Sequence, residues 1–279
     1  MSPFPWTTFG WATLAALGCI VVVAAVTFAT ALRLHRHNVI DTAWGLGFVV
    51  AVLAADAVAV GSAHHDGSAR RLLITVLTAL WALRLAVHMG LRSRGEGEDP
   101  RYLAMLADAP GNRTLYALRK VYLTQALAMW FVSLPLQVTA VGGGSIGVLG
   151  WIGTAVWVVG FVFEAGGDWQ LDRFRKNAAN KGKVLDSGLW RYTRHPNYFG
   201  DACLWWGLAL IAFAHWPGIL TIASPALMTW FLTRKTGKPL LESRMATTRP
   251  GYAQYVERTS GFLPLPPRAV LPPGPGTAA

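Results

Sequence analysis

Long apolar segments recur along the whole chain, and they constrain its fold more than any other feature. A helix of about 20 apolar residues crosses a hydrocarbon layer of about 30 Å and satisfies its own backbone groups there. The composition agrees, since 53% of the residues are hydrophobic and 14% are charged. The sequence therefore predicts an all-α, polytopic membrane protein with about seven transmembrane helices, over residues 9–32, 41–61, 71–90, 121–141, 146–164, 198–215 and 218–233.

Lysine and arginine are concentrated in alternate linkers, which predicts how the chain is oriented. The linkers after the first, third and fifth segments and the C-terminal tail are rich in cations, whereas Arg70 and Arg71 are the exceptions in the other linkers. An odd number of spans then places the N-terminus outside and the C-terminus in the cytoplasm of a multi-pass cell-membrane protein. The net charge is +11, but the basic residues flank apolar segments, so a nucleic-acid partner is not expected.

One stretch, Leu185–Trp206, concentrates polar side chains at a predicted membrane boundary. Pro196 disfavours helix at the preceding residue and can begin the next helix, whose free N–H groups attract anions. Asn197 and Asp201 would share one face of that helix and suit amide or hydroxyl groups. The alternative is a basic juxtamembrane loop without chemistry. The polar residues of this stretch are Arg191, Arg194, His195, Asn197, Tyr198 and Asp201.

Ionisable residues within apolar segments are further candidates, because burying a charge in a bilayer is costly. Asp41 begins the second segment and has the alternative of an interfacial cap. Arg84 and His88 lie one helical turn apart in the third segment, with snorkelling as the alternative for the arginine. The predicted topology separates His35 and His37 from residues 64 and 65, so no metal site is expected.

The sequence RHPNYFGD at 194–201 resembles that of the DUF1295 membrane proteins and of the C-terminal region of the steroid 5-alpha-reductase family. Sterol reductases are similar there, and isoprenylcysteine carboxyl methyltransferases share the Arg-His-Pro, Tyr and Gly. The resemblance covers about residues 38–268 and includes RSRGEGEDPRY at 92–102. The endings LLE, RPGYAQY and FLP also fit, so the segment with Glu242 and Tyr255 is expected to fold back over a cofactor.

The resemblance implies an NADPH-dependent reductase that transfers hydride to an activated C=C bond of an apolar substrate entering from the lipid. In steroid 5-alpha-reductases an acid and an arginine seven residues later hold the cofactor, and Asp168 and Arg175 match that spacing. Lys183 matches a basic contact position. The resulting cofactor set is Asp168, Arg175, Lys183, Arg191, Arg194, His195, Asn197, Tyr198, Asp201, Glu242 and Tyr255.

The N-terminal half departs from the reductase pattern, because the Gln-Glu pair and the donor tyrosine of that family are not recognisable. Asp41, Arg84 and His88 are catalytic candidates by position only. The runner-up is an S-adenosylmethionine-dependent methyltransferase of the isoprenylcysteine type, against which Asp201 and the single Glu242 count. A transporter or lipid-binding protein is a third hypothesis.

We expect one domain over residues 1–263, with its cofactor half at about 146–263, and a disordered tail over 264–279.

Overall fold

The computed structural model describes residues 3–62, 69–95, 97–235 and 238–269. The histidines at 64 and 65 and the tail beyond residue 269 lie outside this range. Within it the chain is helical and holds no β-strand, which confirms the all-α prediction. The α-helices are α1 (Trp6–Leu34), α2 (Val39–Gly61), α3 (Ala69–Arg92), α4 (Pro100–Ala107), α5 (Arg113–Ala117), α6 (Thr124–Val132), α7 (Leu134–Gly142), α8 (Gly147–Lys176), α9 (Pro196–Phe213), α10 (Ala223–Trp230), α11 (Lys238–Thr248) and α12 (Tyr252–Arg258).

Four of these helices, α1, α2, α3 and α8, are long and apolar enough to cross a membrane. A fifth span results if the bent pair Arg113–Val132 and Leu134–Gly142, which meet at 41°, is counted as one. A π-helical turn, Leu118–Leu123, joins α5 to α6 within this pair. The predicted segments 198–215 and 218–233 are less regular. The first begins with the polar turns of α9, and the second is divided into a 3-10 helix, α10 and a π-helical turn.

The contacts within the chain divide it into two compact units. One comprises Met1–Gly153 with Leu208–Ser224, and the other comprises Thr154–Gly207 with Pro225–Ala279. In the first unit, α2 packs against both α1 and α3 through small residues. A Cβ atom built at Gly45 would lie 2.5 Å from the carbonyl oxygen of Ala82. The absence of side-chain bulk therefore sets how closely these helices approach, as is usual in membranes.

The two arginines that depart from the charge pattern of the linkers have structural partners. Arg70 and Arg71 are buried at the start of α3. Arg71 Nε donates to the carbonyl oxygen of Ala140 at 2.6 Å, and the Arg70 guanidinium donates to that of Gly143. Both cations thus satisfy carbonyl groups at the C-terminal end of α7, where an α-helix leaves such groups without partners. Helix capping therefore accounts for their position, and the orientation that the other linkers predict stays a prediction.

In the second unit, α8 and α9 touch backbone to backbone. A Cβ atom at Gly200 would lie 2.4 Å from the backbone nitrogen of Glu164 and 2.5 Å from the carbonyl oxygen of Gly160. The segment after α12 also packs in this unit, since Thr193 Oγ1 donates to the carbonyl oxygen of Phe262 at 2.8 Å. The predicted tail is described only over residues 264–269, and there the backbone N–H of Leu265 donates to the carbonyl oxygen of Tyr192.

We expect Gly200→Ala to destabilise the protein by about 1–3 kcal/mol, because the added methyl group meets backbone atoms that cannot rotate away. The measurement is thermal unfolding of the detergent-solubilised protein. Gly18→Ala in α1 is the matched control, since a Cβ atom there meets nothing within 4 Å. Equal unfolding temperatures for Gly200→Ala and the wild type would show that α8 and α9 do not pack this closely.

Candidate functional site

The polar stretch before α9 folds as the sequence predicts. A 3-10 helix, Gly188–Arg191, leads into Thr193, and α9 begins at Pro196. One side chain and one backbone carbonyl group of α8 hold this approach in place. Gln170 Oε1 accepts the backbone N–H of Leu189 at 2.9 Å, and the Trp190 indole N–H donates to the carbonyl oxygen of Gly167 at 3.1 Å. The N-terminal turn of α9, which carries the candidate residues, is thereby fixed against α8.

The Arg194 side chain joins three segments of the second unit. Its Nε donates to Glu242 Oε1 on α11 at 2.9 Å, and its Nη1 donates to the carbonyl oxygens of Val256 and Thr259 at 3.1 and 2.6 Å. Its backbone N–H donates to the carbonyl oxygen of Ser260 at 2.9 Å. The side chain is 9% exposed. Arg194 therefore clamps the C-terminal segment onto the start of α9, while its expected phosphate contact stays a prediction.

His195 shares the same carboxylate oxygen. Its Nε2 lies 3.0 Å from Glu242 Oε1, and its ring stacks on that of Tyr198 with centroids 5.3 Å apart and planes at 2°. The imidazole is buried. The segment containing Glu242 thus folds back onto Arg194 and His195, while its expected position over a cofactor stays a prediction.

The surroundings of this cluster shift the titration of its members. Burial alone would raise the pKa of Glu242, but hydrogen bonds from His195 and Arg194, together with their charges, outweigh it and lower the pKa to about 2. Burial, followed by the charge of Glu242, raises the pKa of Tyr252 to about 12. The Tyr255 hydroxyl donates to the carbonyl oxygen of Trp190 at 2.6 Å. Glu242 is therefore ionised, and both tyrosines are protonated, at neutral pH.

Asn197 and Asp168 meet where α9 starts beside α8. Asn197 Nδ2 donates to Asp168 Oδ1 at 3.2 Å, and Asp168 is buried. Asp201 follows one turn after Asn197 on α9 and is half-buried. The structure thus brings together an amide and a carboxylate that were both assigned to the cofactor. By contrast, the three remaining cations of the cofactor set are exposed on separate segments: Arg175 in the last turn of α8, Lys183 in the following loop, and Arg191 in the 3-10 helix.

The first unit holds a second polar cluster, around Asp41 in the first turn of α2. The Tyr102 hydroxyl donates to Asp41 Oδ1 at 2.8 Å, and Arg101 Nη2 lies 3.1 Å from Asp41 Oδ2. Arg101 also binds both carboxylate oxygens of Asp99 at 3.0 Å. Gln125 Nε2 makes a long contact of 3.5 Å to the Tyr102 hydroxyl. A candidate predicted by position alone therefore has a phenol and a guanidinium as partners.

Sequence reasoning noted the segment that supplies these partners but assigned no role to it. Glu98 fastens the segment to the start of α2, because its carboxylate accepts the backbone N–H groups of His37 and Asn38. Asp99 caps α4, and Pro100 follows it at the first helical position. This cap and proline are a recognisable helix start, which would have placed Arg101 and Tyr102 in one helical turn. Their contact with Asp41 has no local signature.

Arg84 and His88 lie on α3 in the same unit, one turn apart and both half-buried. The neighbouring face of α3 lines an open apolar groove of about 360 Å³, which includes Leu83, Val87, Gly90 and Arg94. Among the residues that the structure describes, no group of three or more His, Cys, Asp or Glu side chains is placed to hold a metal ion.

We expect Glu242→Gln to lower the free energy of unfolding at pH 7 by about 2 kcal/mol, allowing for partial solvent screening. Because the folded-state pKa is depressed, this contribution is complete above the unfolded pKa, near 4.5, and is lost as the pH falls towards 2. Thermal unfolding between pH 7 and 3 measures it. Glu257→Gln, at an exposed position of α12, is the control. A difference that persists undiminished in acid would contradict the ion pair.

Comparisons with known proteins cover the residues of both polar clusters. The sequence matches the family described as "Protein of unknown function (DUF1295)" over residues 27–259. It is 23% identical over 238 residues to the "Uncharacterized protein C594.04c" of Schizosaccharomyces pombe, covering 73% of this chain and 66% of that protein. The chain thus spans slightly less than two thirds of that relative. No solved structure matches. With most of its length matched, including Asp41, Tyr102, Arg194 and Glu242, the chain belongs to the DUF1295 family.

Proposed function

We propose that this protein is a membrane-embedded, NADPH-dependent reductase of an activated C=C bond in an apolar, lipid-like or steroid-like enone. The hydrogen bond of 2.8 Å between the Tyr102 hydroxyl and Asp41 carries the proposal. Reduction of an enone places negative charge on the carbonyl oxygen, which needs a hydrogen-bond donor. Methyl transfer from S-adenosylmethionine to a carboxylate needs none. The pair therefore supports reduction over the methyltransferase alternative.

Tyr102 is the residue that we assign to the carbonyl oxygen. Burial, followed by the charge and hydrogen bond of Asp41, raises the pKa of Tyr102. The phenol therefore stays protonated at physiological pH. Its single proton lies in the bond to Asp41, so the hydroxyl would turn from Asp41 Oδ1 to the developing enolate oxygen when a substrate binds. Asp41 orients the hydroxyl, and Arg101, which bridges Asp41 and Asp99, fixes the position of the carboxylate. The ion pair also offsets part of the cost of burying the carboxylate.

The second unit offers a donor set that fits a nicotinamide dinucleotide. The exposed cations Lys183, Arg191 and Arg175 suit phosphate groups. The Asn197 amide and the buried Asp168 carboxylate, which are hydrogen-bonded to each other at the start of α9, suit a carboxamide or ribose hydroxyls. When bound, the cofactor supplies a hydride ion. Arg194, His195 and Glu242 keep the C-terminal segment folded beside these groups.

An apolar substrate arriving from the lipid has a matching surface in the first unit. The groove on α3 is open and almost entirely apolar. At Gly90 its lining approaches α2, since a Cβ atom there would lie 3.5 Å from the side chain of Thr42, the residue after Asp41. We assign this groove to the hydrocarbon part of the substrate. Arg84 and His88, on the same helix, stay catalytic candidates by position.

We further propose seven spans, which count the bent pair as one span and add α9 and the region of α10 to the four long apolar helices. The excess of cations after α3 and α8 then places the C-terminus in the cytoplasm of a cell-membrane protein. A reporter that is active only in the cytoplasm, fused after Pro267, should be active. The matched fusion, after Ser62 at the end of α2, should be silent. Activity of the second fusion and silence of the first would reverse the orientation.

Purified protein in detergent should consume NADPH when given an apolar enone, and Tyr102→Phe should lower kcat by about 100-fold or more, because one oxyanion donor is lost. The unfolding temperature should fall by only about a few degrees, because Asp41 loses one hydrogen bond but keeps its ion pair with Arg101. Loss of NADPH absorbance and thermal unfolding measure the two effects. Tyr116→Phe, outside the cluster on α5, is the matched control.

The same preparation separates the competing functions. Stabilisation by NADPH but not by S-adenosylmethionine supports the reductase, as does formation of a saturated ketone. Transfer of a labelled methyl group without NADPH consumption would replace the reductase with the methyltransferase. Full activity of Tyr102→Phe would keep a reductase but remove Tyr102 from its mechanism.

A further inference from the structure

The outward face of α8 carries two exposed tryptophans that lie one membrane thickness apart. Trp151 and Trp169 are 59% and 60% exposed. They are separated by eighteen positions, which in an α-helix is about five whole turns and about 27 Å, so they lie on the same side of the helix. The exposed Val158 and Val162 lie between them on that side. This spacing matches the hydrocarbon core of a bilayer, at whose edges tryptophan collects.

The two ends of this tryptophan-bounded stripe differ in charge. Arg173 lies one turn beyond Trp169, and its guanidinium carbon is 5.5 Å from the centroid of the indole ring. The stretch around Trp151, from residue 141 to residue 163, contains no lysine or arginine. Only the C-terminal end of the stripe therefore combines an interfacial aromatic ring with a cation.

The same arrangement occurs independently at the end of α10. Trp230 is 45% exposed, and Lys235 Nζ lies 5.5 Å from the centroid of its ring. The π-helical turn Phe231–Lys235 brings the fifth residue after Trp230 over the indole. In both places an exposed indole sits where an apolar helix becomes polar, with a cation held over its face. Neither cation has a carboxylate partner among the ion pairs of the described residues.

We propose that the Trp169–Arg173 and Trp230–Lys235 pairs are binding sites for the headgroups of anionic phospholipids. The indole places each cation at the depth of the phosphate, and the cation–π contact holds it there. The partner is the bilayer lipid itself and not a free anion, because each pair continues an apolar face that an acyl chain would cover. This inference is independent of the reaction that the protein catalyses.

Native mass spectrometry of the delipidated full-length protein, titrated with phosphatidylglycerol or phosphatidylcholine, tests the proposal. The wild type should bind phosphatidylglycerol more tightly. Arg173→Gln should weaken that binding by about fivefold, the amount expected for one cation at an anionic surface, and leave phosphatidylcholine unaffected. Trp169→Leu should act in the same direction, because it leaves the surface apolar but frees the cation.

Two controls make the test specific. Lys181→Gln removes an exposed cation in the loop after α8, and Trp151→Leu removes the tryptophan at the uncharged end of the stripe. Neither should change the preference for phosphatidylglycerol. A loss with Lys181→Gln equal to that with Arg173→Gln would reduce the effect to diffuse surface charge. Equal wild-type affinity for both lipids, or equally effective binding of glycerol phosphate alone, would overturn the proposal.

Discussion

The guanidinium of Arg194 is the group on which the arrangement of the second unit depends. One nitrogen satisfies Glu242, and another satisfies two carbonyl oxygens near the end of α12. A lysine ammonium has no planar fork of donors and cannot reproduce this set of contacts. Because Arg194 precedes α9 by two residues, the interactions that hold the C-terminal segment also fix the position of the helix start. These contacts of Arg194 therefore also fix the positions of the candidate cofactor residues Asn197 and Tyr198.

The same physical device appears in the first unit at a different place. Arg70 and Arg71 donate to carbonyl groups at the end of α7, as Arg194 does near the end of α12. Carbonyl groups at a helix C-terminus lack partners within the helix and carry partial negative charge, so an arginine is a favourable neighbour. Some cations that the sequence alone would explain by membrane topology or by phosphate binding thus donate to backbone carbonyl groups of the protein itself. Those left exposed, such as Lys183 and Arg191, are the ones available to a ligand.

The features that the sequence predicted well are those encoded over short distances. The long apolar helices follow from composition, and the start of α9 follows from Pro196, which cannot donate a backbone hydrogen bond. The interruption between α6 and α7 was missed, although Pro135 lies there, because both helices are apolar and read as one segment. The pairing of Asp41 with Tyr102 was also missed, since sixty-one positions separate the two residues and only packing brings them together.

The Asp41 cluster lies at the beginning of an apolar helix because the polar segment before α4 is attached there through Glu98. Glu98 accepts backbone N–H groups at residues 37 and 38, which the start of α2 would otherwise leave without partners. The N-terminus of α2 therefore holds the segment, and Arg101 and Tyr102 of this segment contact Asp41 in the first turn of α2. Arg101 offsets the charge of Asp41, and Tyr102 adds a neutral donor. A carboxylate needed only as a helix cap would not require both partners, and this pairing is what supports our proposal that Asp41 belongs to a reactive site.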